Sequence, residues 1–143
     1  MLSKFFKKNK IQPLNNKNIL IAALLIHAAK IDEKYTDIEK NIIKKALMNL
    51  YNIKTDEAEK LLKNAEIKEQ DSNQIVEFTQ EIKKNSMEFR LKIIEILWKI
   101  VYSDGANDNY ESNLIRRICG LLYVSDRDSG MVKLKIKDSI KIK

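Results

Sequence analysis

A chain of 143 residues, 44% hydrophobic and 33% charged, is long enough for one buried core and too short for several. Three glycines and one proline are too few for the tight turns of a sandwich or barrel, and a single cysteine excludes an intramolecular disulfide and suits a reducing compartment. The net charge of +7 sits at the ends: residues 1–18 carry +5 and residues 131–143 carry +4, leaving −2 for a body with no basic face for nucleic acid.

In chain order, the basic segment 1–17 comes first. It has no long apolar run or cleavage site, so it does not read as a secretory signal. Its lysines solubilise the chain or, with Leu2, Phe5 and Phe6, let it rest on an anionic membrane surface. A helical domain is expected over 18–138, followed by a basic tail at 139–143. The first helix, 18–31, contains the most apolar stretch, Ile19 to Ile31, broken only by His27 and Lys30. A membrane span needs about 20 apolar residues, so this run reads as a core helix. The second helix, 36–51, carries Ile38, Ile42, Ile43, Ala46, Leu47 and Leu50 at the 3.6-residue period.

Thr55 opens a third helix, through Leu61 and Leu62 to about Glu66. Ser72 opens a fourth, with Ile75, Phe78 and Ile82 on one face. Ser86 precedes a fifth, to Tyr102, apolar nearly all round and so expected to be central. A sixth covers 109–123 with Leu114, Ile115, Ile118 and Leu122, and Ser125 caps a seventh. Within the seventh, Val132-Lys133-Leu134-Lys135-Ile136-Lys137 alternates with period two, the pattern of a strand. No other strand is predicted for it to pair with, so it reads as a helix fraying into a tail. The class is all-α, about seven helices in one bundle.

The chain also repeats itself. Residues 24–51 shifted by 72 fall on 96–123 with seven of 28 positions identical, among them Asp32/Asp104, Glu39/Glu111 and Tyr51/Tyr123. The first three helices therefore echo the last three, and a pseudo-twofold packing is expected in which each half covers the apolar face of the other.

The repeat preserves an acidic pair, Asp32 with Glu39 and Asp104 with Glu111. Each Asp follows a core helix and each Glu lies in the first turn of the next. Helical spacing puts all four on the inward side, where a merely solvated acid would be unexpected. Thr36-Asp37-Ile38-Glu39 is a capping box, in which the Thr hydroxyl accepts from the third amide and the Glu returns to the cap amide; Asp108 to Glu111 is its counterpart. Capping accounts for Glu39 and Glu111. It leaves Asp32 and Asp104 at the negative ends of helix dipoles, where a cation or loop amides must compensate. An EF-hand is excluded. Its first two acidic positions would be Ile100 and Tyr102, or Ala28 and Lys30, and Ca²⁺ takes about six to eight oxygen ligands. If both loops converge, Asp32, Glu39, Asp104, Asp108 and Glu111, with Asp37 beside them, suit a hard divalent cation: Ca²⁺, Mg²⁺ or Mn²⁺.

A helix ending in Asp or Asp-Gly, a short loop, then a helix with Glu seven residues on, occurring twice, resembles the TerB (tellurite-resistance) family over roughly 18–130. Tyr102-Ser103-Asp104-Gly105-Ala106-Asn107-Asp108-Asn109-Tyr110-Glu111 matches well; the first copy has Glu33 in place of Gly and adds Lys34. The resemblance implies a non-catalytic, cytoplasmic, bacterial stress-response domain. It also implies metal binding through those acids and a protein partner beside the membrane. The fold also resembles the N-terminal domain of DjlA-type co-chaperones, whose J-domain His-Pro-Asp is absent here. The alternative reading is a metal-free helical adaptor that contacts membrane or protein through its basic ends.

Other residues read as structural. His27 is expected as a satisfied core histidine, Cys119 as a small buried apolar residue and Trp98 as core. No phosphate-binding or dinucleotide loop is present, and the lone His completes no Ser/His/Asp set.

Overall fold

The computed structural model describes residues 16–30, 35–71, 75–103 and 109–141. Among the described residues there are seven helices and no strand: α1 Asn16–Ala29, α2 Asp37–Tyr51, α3 Thr55–Asp71, α4 Ile75–Lys83, α5 Met87–Tyr102, α6 Asn109–Leu122 and α7 Asp126–Lys141.

Two helices make the centre. Ile21 to Ile26 of α1 are all buried, as expected of a run without a polar face. This helix packs chiefly on α3 and α4, and also meets α2 and α5. The fifth helix is central as expected: α5 touches α1, α2, α4, α6 and α7, and buries Ile93, Ile94, Leu97 and Ile100. The other helices each give one stripe to this core, such as Ile43 and Leu47 from α2 or Ile115, Ile118 and Leu122 from α6. Truncating any of these aliphatic side chains to Ala costs about 2–5 kcal/mol.

Polar side chains fix the helix ends. Thr36, Ser86 and Ser125 accept from the amides of Glu39, Phe89 and Asp128 at 3.1, 3.2 and 3.0 Å. At the start of α3, the Lys54 amide donates to Glu57 Oε1 at 3.0 Å. Arg90 closes the far end of α6: its Nη1 donates to the Leu122 carbonyl at 2.9 Å while Nε holds the Asn85 carbonyl at 3.1 Å. A cation there also suits the negative end of the α6 dipole. Asn52 ends α2 in the left-handed region at φ 53°, which Asn tolerates better than most residues.

Two elements differ from the sequence reading. The third helix continues past Glu66 to Asp71, because nothing in Ile67-Lys68-Glu69-Gln70 stops it. The seventh is helical to Lys141, so the basic C-terminal residues 133–141 belong to a helix rather than a fraying tail. Inside it Val132 and Ile136, four residues apart, face inward while Leu134 is 59% exposed. The period-two pattern is thus an inward helical pair with one extra apolar residue between.

Candidate functional site

The corner between α1, α2 and the C-terminal half of α3 holds the one predicted ligand whose side chain is described. Glu39 enters through the capping box: Thr36 Oγ1 accepts from the Glu39 amide, and Glu39 Oε1 accepts from the Thr36 amide at 2.9 Å. Glu39 is also 2% exposed, so the inward placement read from helical spacing holds for it. Asp37, two residues earlier, is exposed. Asp32, Asp104 and Asp108 lie outside the described residues, and Glu111 falls in α6 with its side chain outside them.

Acids that sequence reasoning passed over join Glu39 here. Glu69 of α3 has a side chain only 7% exposed. Its Oε1 accepts from Lys30 Nζ at 2.8 Å and its Oε2 lies 3.1 Å from His27 Nδ1. An ionised carboxylate can only accept, so the imidazole presents N–H at Nδ1. Burial pushes the Glu69 carboxyl up, but the bonds from Lys30 and His27, with their charges, outweigh it and hold it below the ordinary range. One turn earlier, Glu66 Oε2 accepts from the Tyr35 hydroxyl at 2.9 Å. Burial first, then that bond, then the negative charges of Glu66, Glu39 and Glu69 push the Tyr35 phenol far above the usual tyrosine range. Tyr35 is therefore a fixed donor rather than a base, and its ring lies 5.0 Å from Lys40 Nζ.

These contacts decide what the corner can do. A carboxylate on an imidazole Nδ1 is the orienting half of a hydrolytic triad. His27 also makes a tilted ring contact with Phe78 at 6.3 Å. Cys119 is 1% exposed, as expected of a small core residue, and burial pushes its thiol up. Trp98 is also core, donating from Nε1 to Ser129 Oγ at 3.2 Å. Among the described residues no three His, Cys, Asp or Glu side chains are grouped to hold a metal ion, and no helix is long and apolar enough to cross a membrane.

Glu66, Glu69 and Tyr35 were missed because their partners are 31–42 residues away in the chain. One signal was available: Glu69 stands on the line of Ala58, Leu62 and Ala65 on α3, an acid on an apolar stripe.

Residues 18–134 match the family model described as Tellurite resistance protein TerB. No curated protein and no solved structure matches the chain.

Proposed function

The chain belongs to the TerB family, whose model spans 18–134, and from that footing we propose that it is a non-catalytic, tellurite-resistance-associated domain that acts by docking to a protein partner. On this reading the first acidic corner is a structural latch. The observation that carries it is the full employment of the acids there. Glu39 is committed to its own helix cap, Glu69 is neutralised by Lys30 and His27, and Glu66 is held by Tyr35. A cation at this corner would have to displace two basic side chains from a carboxylate they already satisfy.

A second reading keeps a divalent cation (Ca²⁺, Mg²⁺ or Mn²⁺) at the second loop, on Asp104, Asp108 and Glu111. What favours it is the burial of Glu39, the placement that a ligand role requires of its counterpart Glu111. The second loop has Gly105 where the first has Glu33, and Ala106 where the first has Lys34. The two readings concern different corners, and calorimetric titration of the full chain with each ion tests both. The latch reading expects no heat, or heat that survives Glu39→Gln. Heat abolished by Asp104→Asn/Glu111→Gln but not by Glu39→Gln establishes the second reading. Heat abolished by Glu39→Gln removes the latch.

A further inference from the structure

On the flank of α2 that faces α5 runs a groove whose floor is apolar and whose rim is cationic. The floor is Ile42, Ala46 and Leu50, half-buried at successive turns of α2, with Ile96 of α5, 7% exposed, beneath them. Lys45, Lys92 and Lys99 stand exposed along the rim. Lys99 has one loose partner, Glu95 at 3.7 Å; among the described residues Lys45 and Lys92 have no acidic partner.

Resting on the docking reading, we propose that this groove receives a short amphipathic helix of a partner protein, its apolar ridge on the floor and acidic side chains against the three lysines. The shape argues for a helix. A trough between two helices accepts a convex ridge of residues spaced three and four apart, and the stripe from Ile42 to Leu50 spans about 12 Å, two helical turns. A bilayer is flat and would require an apolar face that protrudes. The charge argues for acid. Three lysines face one carboxylate in the groove, so the basic ends of this chain, +5 over residues 1–18 and +4 over 131–143, are repelled as occupants. An acidic ridge gains three complementary charges at a partly desolvated rim, which sets both its orientation and its rate of encounter.

The test is site-specific photo-crosslinking of the full chain in the cells that make it. Benzoylphenylalanine is placed singly at Asn49 in the groove and at Lys60 and Ser139, both exposed and away from it. The expected result is an adduct from Asn49 alone. The captured peptide has an apolar residue every three to four positions flanked by Asp or Glu, and its yield falls at least fivefold in Lys92→Glu/Lys99→Glu. That variant is first shown to keep the parent helical signal and denaturation midpoint. Adducts from Lys60 or Ser139 but not Asn49 overturn the groove and leave docking standing; no adduct at any position counts against docking itself. An Asn49 adduct to lipid, to a basic peptide or to a second copy of this chain overturns the proposed occupant.

Discussion

Glu69 shows how one side chain turns local geometry into a pH-dependent contribution. Its carboxyl is held below the ordinary value of 4.5, so folding favours the ionised form. The stabilisation is therefore present above pH 4.5 and is lost as the pH falls through the lower native value. The two bonds are charge-assisted, yet the Lys30 and His27 side chains are 35% and 20% exposed, so solvent discounts them. Glu69→Gln is expected to cost about 1–2 kcal/mol near neutral pH. In paired urea titrations the gap between parent and variant should close as the pH is lowered below 4.5. A gap that persists at low pH would mean the carboxylate is not the stabilising form. Glu39 is the contrasting case. Its cap role needs an acceptor rather than a charge, and Gln serves at that position of a capping box.

At the scale of the helix, the sequence was most legible where apolar spacing and caps agree. The second helix was expected at 36–51 and runs Asp37–Tyr51, and the fifth ends at Tyr102 as expected. It was least legible where the surface of a helix carries apolar residues or its core face carries an acid. On α3 the exposed Ile67 and the buried Glu69 invert the usual pattern, so the reading stopped near Glu66 although the helix continues to Asp71. On α7 the exposed Leu134 between Val132 and Ile136 imitates a strand. Backbone hydrogen bonding settles both in favour of the helix, since no described strand offers a partner. The interior of α7 also contains Gly130, around which an added Cβ would meet nothing within 4 Å. Gly130→Ala should therefore raise stability by about 0.5–1 kcal/mol, by restricting the unfolded chain and favouring the helix, read as a higher urea midpoint at unchanged slope. A lower midpoint would show that the glycine serves a purpose other than filling a helical position.

At the scale of the whole molecule, Glu66 and Glu69 are held by residues 31–42 positions away in the chain, brought together by the packing of three successive helices. The all-helical class was readable from the scarcity of glycine and proline, from the 3.6-residue stripes, and from the resemblance that the family match over 18–134 bears out. The half of the candidate site that could be read was the part encoded within four residues, Thr36 to Glu39. The half that could not was Glu66, Glu69 and Tyr35, whose environment exists only once α1, α2 and α3 have packed. The pseudo-twofold was expected from the 24–51 and 96–123 segments of the sequence. It stands as a proposal beside the cation reading of the second loop. The central claim is that the acids of the first corner are occupied by the protein's own amides, hydroxyl and bases. The most direct test is carboxyl ¹³C NMR of the full chain, following Glu39, Glu66 and Glu69 as Ca²⁺ or Mg²⁺ is added at neutral pH. All three resonances are expected to stay in place up to saturating cation. A saturable shift of the Glu39 or Glu69 carboxyl carbon would contradict the central claim.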